Sequence, residues 1–104
     1  MGEERFDIVY SEEIGDDFIK YKIKENFIIK IHNKLSLHSN RIISISQSVK
    51  GTHYKIRKYR FGKYRLFFTI EDYTIYCLGF LHRKDSYKKE SINKMITLVR
   101  EIQK

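Results

Sequence analysis

The amino-acid sequence predicts an α+β domain in the order β-α-α-β-β-β-α, an antiparallel sheet meander with helices packed on it. Three observations carry this. Near the start, apolar residues alternate once along the chain and then recur at helical spacing as far as Leu35. Residues 54 to 82 are rich in aromatic and β-favouring side chains, interrupted by two turn signals. Finally, Ile92, Met95, Ile96, Val99 and Ile102 form one helical stripe. With 104 residues and 41% hydrophobic content, the chain suits one domain, 1–104, around one modest core, because two domains would each be too small.

Phe6, Ile8 and Tyr10 alternate with Asp7, Val9 and Ser11, which reads as a strand. Ser11 can cap a helix whose first turn holds Glu12 and Glu13, well placed against the helix dipole. Ile14, Phe18 and Tyr21 follow at helical spacing, and after a polar break at residues 24 to 26, Phe27, Ile28, Ile31 and Leu35 repeat it. Residues 36 to 52, rich in Ser and Asn, read as a helix end plus a connecting loop. From Tyr54 the pattern turns β-like: Tyr54 and Ile56 face the core, while Lys55, Arg57 and Tyr59 face outward. Phe61-Gly62-Lys63 makes a turn. Tyr64 to Ile70, apolar on both faces apart from Arg65 and Thr69, reads as a central strand covered on both sides. Glu71-Asp72 makes the second turn, Tyr73 to Leu81 a third strand ending at His82, and the C-terminal stripe a helix packed on the domain.

Charge narrows the class of partner. The net charge is +8, but residues 1 to 17 carry seven acids against Arg5, a local −6, which leaves +14 on the remainder. A basic body with an acidic end suits a polyanion met by part of the surface, whereas the plainer reading is a charge-rich solvated surface. No apolar run is long enough to cross a bilayer, and MGEERFDIVY has neither the basic leader nor the apolar core of a signal peptide. The single cysteine, Cys77, permits no internal disulfide, which fits a reducing cytoplasm. Cys77 reads as a small core residue. His32, His38 and His53 are scattered and form no metal spacing with it, so neither a metal nor a cofactor is expected.

The chemistry concentrates between His53 and Tyr87. Lys55 and Arg57 are two apart on one strand, Arg65 begins the next strand, and Arg83 lies where the third runs out. Strands about 4.8 Å apart can bring such side chains onto one anion. A phosphate is the expected target, bound by Arg through paired donors and by Lys as a point charge. The alternative is an edge strand guarded by charge, which accounts for Lys58 and Arg60 better than for Arg65. Tyr87 either stacks on an unpaired base or staples the last helix to the sheet. His82 either transfers a proton or serves structure.

The segment HYKIRKYRFGKYRLFFTI, followed by a strand and LHRKDSYKK, resembles the RelE/ParE superfamily of prokaryotic toxin–antitoxin toxins, particularly archaeal RelE-like members. The matching part spans roughly residues 49 to 89; upstream, the strand-helix-helix order agrees with the family fold. The resemblance implies a cytoplasmic mRNA interferase that inhibits translation by cutting messenger RNA on the ribosome without a metal, with a cognate antitoxin as partner. By position, Lys55 and Arg57 resemble the family's basic pair, Arg65 the arginine of its G-Y-R-L segment, and Arg83 and Tyr87 its late arginine and tyrosine. His82 sits where some relatives place a histidine. The hairpin here is one residue longer, Lys63 stands where glycine would precede the tyrosine, and Arg57 replaces what is often lysine, a group that could act as a base. The implied reaction is attack of a ribose 2′-hydroxyl on the adjacent phosphate. Arg65 and Arg57 would stabilise the phosphorane and Arg83 the leaving oxygen, with Lys55 or His82 moving a proton and Tyr87 holding a base. Lys50, Lys58, Arg60, Lys63, Lys84, Lys88 and Lys89 would meet RNA phosphates. Two other functions fit the same scaffold: a ParE-like toxin that inhibits gyrase, and a non-catalytic nucleic-acid-binding module.

Overall fold

A computed structural model of the chain describes residues 6–37, 41–49, 56–86 and 88–102, the side chains of 42 and 43 apart. The first alternation becomes strand β1 (Asp7–Tyr10), followed by helix α1 (Glu12–Lys20). Ser11 caps α1 as expected: its Oγ accepts the Ile14 N–H at 3.2 Å. Helix α2 (Glu25–Leu37) follows the polar break and buries Ile31 and Leu35. The Ser-rich tract, expected as loop, contains a one-turn helix α3 (Ile42–Ile45) and a two-residue strand β2 (Gln47–Ser48). Their cause is tertiary, because β2 exists by pairing with the strand after it.

Strands β3 (Arg57–Phe61), β4 (Tyr64–Glu71) and β5 (Thr74–His82) form the expected antiparallel meander. Among the described residues the sheet has five strands in the order β1-β5-β4-β3-β2, with β1 parallel to β5 and the other pairs antiparallel. A parallel neighbour requires a crossover, which the intervening helices provide. The first hairpin turns at Gly62-Lys63, where Gly62 at φ 59° takes the left-handed position of a two-residue loop. The second turn lies one residue later than expected. Asp72 and Tyr73, at φ 47° and 61°, occupy both central positions of a primed turn closed by the Glu71–Thr74 pair. Tyr73 therefore leaves the strand and sets its ring edge-on to Phe6 at 5.3 Å.

Both faces of the sheet are covered, and that divides the core in two. Helices α1 and α2 lay Ile14, Ile31 and Leu35 on Leu66, Phe68, Ile75, Cys77 and Phe80. Helix α4 (Lys89–Ile102) covers part of the other face, where Met95 and Val99 pack with Ile56, Phe67, Leu78 and Leu81. Burying each of these two helix side chains contributes roughly 1.5–3 kcal/mol, which explains why the amphipathic C-terminal stripe stays on the domain. A bulge lets β5 serve both layers: Phe67 pairs with Gly79 but Phe68 with Cys77, so Leu78 is the extra residue. Cys77 and Phe80, three apart, thus reach one face while Leu78 reaches the other. Cys77 is a core residue as expected, and burial pushes its thiol up to about 12.

Strand β1 ends opposite Cys77, and α1 takes over the exposed edge of β5 beyond it. Ser11 Oγ donates to the Leu78 carbonyl at 3.2 Å, and Asp17 Oδ2 accepts the Phe80 N–H at 2.9 Å. Gly79 allows this approach, since a Cβ there would lie 3.4 Å from Asp17 Oδ2 and 3.5 Å from Met95 Sδ. Burial raises the Asp17 carboxyl above its ordinary value of 3.8, opposed by the Phe80 N–H and by Lys20 and Lys94. A carboxyl raised in the fold contributes stability that is present below its unfolded pKa and lost as pH rises through the folded value. Asp17→Asn keeps an acceptor for Phe80 and is expected to abolish that pH dependence above pH 3.8. Asp17→Ala is expected to cost about 1–3 kcal/mol through the stranded N–H. Urea unfolding of both variants across pH 3 to 7 would check this, and equal stabilities for the two would refute the edge-capping role.

Among the described residues no helix is long and apolar enough to cross a membrane.

A cationic candidate site beside the C-terminal helix

Cross-strand register decides which basic residues can meet. Residues directly opposite in an antiparallel pair share a face. Arg60 pairs with Arg65, and Lys58 with both Phe67 and Gln47, so Lys58, Arg60 and Arg65 lie on the face that carries α4. The next neighbour of Arg65 is Leu81 of the α4 layer, so the three cations adjoin the residues that α4 covers. Together with Gln47 and Ile45 they line a cavity of about 220 Å³. Arg65 Nη1 donates to the carbonyls of Gly62 at 3.0 Å and Tyr64 at 2.9 Å, so the turn that ends β3 also holds the guanidinium.

Arg57 is not part of this group, which corrects the expected convergence of Arg57 with Arg65. Its partner across the sheet is Phe68, so it lies on the α1/α2 face, three positions along β3 from Arg60. There it clamps the β2 segment: Nε donates to Ser46 Oγ at 2.6 Å, Nη2 to the Ser46 carbonyl at 2.9 Å, and Nη1 to Ser48 Oγ at 3.1 Å. Tyr59, expected to face outward, is on the same layer and packs its ring 4.7 Å from that of Phe61. The physical reason is that α2 covers the side that alternation alone assigns to water. Ile56 does face a core as expected, and Tyr54 lies outside the described residues.

The remaining candidates fall around the end of the sheet. His82 pairs with Tyr64, its ring edge-on at 5.7 Å, which places it on the face opposite Arg65. Its Nδ1 accepts the Lys84 N–H at 3.2 Å, so the neutral ring carries its proton on Nε2. Arg83 begins the following turn, exposed, its N–H donating to the Lys63 carbonyl at 2.9 Å. That turn is held firmly. Ser86, buried, donates its hydroxyl to the Arg83 carbonyl at 2.9 Å, and Asp85 accepts both the Tyr21 hydroxyl at 2.5 Å and Lys88 Nζ at 2.8 Å. Those two contacts, the Lys88 contact first, hold the Asp85 carboxyl down at about 2. Burial and then the bond to Asp85 push the Tyr21 hydroxyl up to about 12. Lys63 Nζ stands 5.7 Å over the Tyr64 ring, and Lys84 and Lys89 are exposed. Lys50, Lys55 and Tyr87 lie outside the described residues.

Three contributing residues went unseen in the sequence. Gln47 enters the cavity on a strand two residues long, and no local signal announces such a strand. Tyr21 and Asp85, which anchor the turn of Arg83, are 64 residues apart. Like charges set directly opposite one another on a sheet are destabilising, and Arg60 faces Arg65 with no ion pair from either to a described residue. Between described residues the only ion pair is Lys88 with Asp85.

No family model matches the chain, and no curated protein matches it in sequence. Among solved structures, it is similar to a chain in the crystal structure of the toxin–antitoxin complex RelBE2 from Mycobacterium tuberculosis. The two are 17% identical, and the superposition covers 77% of this chain and 100% of that one with a TM-score of 0.61. Five strands with a parallel β1 beside β5, two successive helices on one face and a C-terminal helix on the other: this chain has the RelE-like fold.

Proposed function

We propose that the protein is the toxin of a toxin–antitoxin pair and acts as a ribosome-dependent endoribonuclease on messenger RNA. The observation that carries this reading is the Arg60–Arg65 pair, opposed across two strands beside a polar cavity. Charge of one sign gathered at one spot on a sheet suits a phosphodiester, and the surplus of basic residues beyond residue 17 suits the RNA around it. The likeness in fold to a chain of a toxin–antitoxin complex supports a cognate antitoxin as a second partner.

In the proposed reaction the 2′-oxygen forms a bond to phosphorus, the bond to the 5′-oxygen breaks, and a cyclic phosphate and a free 5′-hydroxyl result. One proton leaves the 2′-hydroxyl and one reaches the departing oxygen. Arginine remains charged throughout, so Arg65 serves to stabilise the doubly charged phosphorane. Arg83, anchored at the sheet end, supports the leaving oxygen. Of the two candidates for moving a proton, Lys55 or His82, the role goes to Lys55, because His82 lies on the face opposite Arg65. The ribosome would align message and phosphate, which accounts for how few conventional acid and base groups stand at the site.

Mapping transcript ends in cells after induction tests this. Cuts inside translated codons, absent from uninduced cells, are expected. Intact transcripts accompanied by gyrase-dependent DNA breaks would overturn the reading in favour of gyrase inhibition.

A further inference from the structure

We propose that the seat for the reacting phosphate is formed by Lys58 and Arg60 with Arg65, and that Arg57 acts as a strut and does not touch the RNA. The proposal deepens the reading of the chain as an RNA-cleaving toxin and rests on it. A two-residue turn makes Phe61 and Tyr64 a closing pair, and from that pair the register runs without a shift to Arg60–Arg65, Tyr59–Leu66 and Lys58–Phe67. One face therefore carries Lys58, Arg60 and Arg65, and the other carries Arg57.

Chemistry separates the two sets in the same way. All three donor nitrogens of Arg57 bond to Ser46 and Ser48, and a guanidinium so used holds β2 onto β3. Arg65 is anchored through Nη1 alone, while its Nε and Nη2 make no hydrogen bond among the described residues. Those two nitrogens form one edge of the guanidinium fork, the geometry that takes two oxygens of one phosphate. Arg60 stands directly across the strand gap at about 5 Å between Cβ atoms. Lys58 adds a point charge two residues along, about 7 Å further on the same face. Gln47, paired with Lys58, offers an amide to the same cavity, where it can donate to a phosphate oxygen or read a ribose hydroxyl. At about 220 Å³ the cavity is several times the ~30 Å³ share of a water molecule and admits a phosphodiester group.

Three variants test the assignment in full-length protein: Lys58→Gln, Arg60→Gln and Arg57→Gln. Each is measured for thermal unfolding, for message cleavage on programmed ribosomes, and for amide shift changes during titration with inorganic phosphate. Lys58→Gln and Arg60→Gln are expected to lose about ten- to a hundredfold in cleavage rate, the worth of a hydrogen bond to a charged group. Arg60→Gln is expected to raise the melting temperature as well, because it removes a repulsion, and a residue serving structure alone would do the reverse. Arg57→Gln is expected to melt lower yet cleave at the wild-type rate per folded molecule. Phosphate should shift Lys58, Arg60 and Arg65 together in the wild type. Wild-type cleavage by the Lys58 and Arg60 variants, or loss of cleavage by a folded Arg57→Gln protein, would overturn the proposal. Phosphate shifts scattered evenly over all basic residues would overturn it too. If the wild type cleaves no message, the RNA-cleaving reading falls by itself, and the phosphate titration still decides whether the seat exists.

Discussion

Arg65→Ala is expected to lower the rate of message cleavage by roughly 10²–10³-fold, the loss typical of removing one preorganised donor to a developing oxyanion. The fold should survive. Arg65 is half-buried on a strand whose neighbours Leu66, Phe67 and Phe68 supply the packing, and its two bonds to turn carbonyls contribute about 0.5–1.5 kcal/mol each. Part of that loss is offset, because the repulsion from Arg60 goes with the side chain. Arg65→Lys should fall between the two, since it keeps the charge and loses the fork that grips two oxygens. Single-turnover cleavage on programmed ribosomes, with melting curves alongside, checks both. An alanine variant that melts normally and cleaves within about threefold of wild type, the worth of a screened surface charge, would remove Arg65 from the reaction.

Phe80→Ala should be among the most damaging changes to stability, at about 3–5 kcal/mol. Phe80 is fully buried at the meeting point of four aromatic neighbours: its ring stacks on Tyr64 at 5.1 Å and lies 5.3 Å from Phe18, 6.1 Å from Phe27 and 6.4 Å from Phe61. Those four come from α1, α2, β3 and β4, so no single element can move to fill the space. For a domain of this size each 1 kcal/mol shifts the melting temperature by about 4–8 °C, so a drop of well over 10 °C is expected. Phe80→Leu, closer in volume, should recover about half of it. A Phe80→Ala protein melting within about 4 °C of wild type would show that the site collapses around the missing ring.

Much of the scaffold was legible because its signals are local. Ser11 followed by two glutamates announces a cap, the stripe from Ile92 to Ile102 a packed helix, and Gly62-Lys63 a turn, each within a few residues of one another. Strand β4 was readable as central because Leu66 to Phe68 leave no side to water. The second hairpin was harder. Its turn uses Asp72 and Tyr73 at positive φ, and a tyrosine is an unlikely sequence signal for that backbone. The bulge at Leu78 is silent in the sequence, since Cys77 and Leu78 are both apolar and either could point to either face.

The candidate site divides along the same line. Composition and order alone determined that two basic clusters flank the aromatic strands and that Arg65 is the lone basic residue on a buried one. Only the tertiary structure decided which of them share a face. Side-chain direction alternates with every residue, so a pairing shift of one position turns a whole strand over. Sequence spacing therefore named Arg57 as the partner of Arg65 and left Arg60 to the guarded edge. The closing pair Phe61–Tyr64 set the register, placed Arg60 opposite Arg65 and sent Arg57 to the far face to hold Ser46 and Ser48.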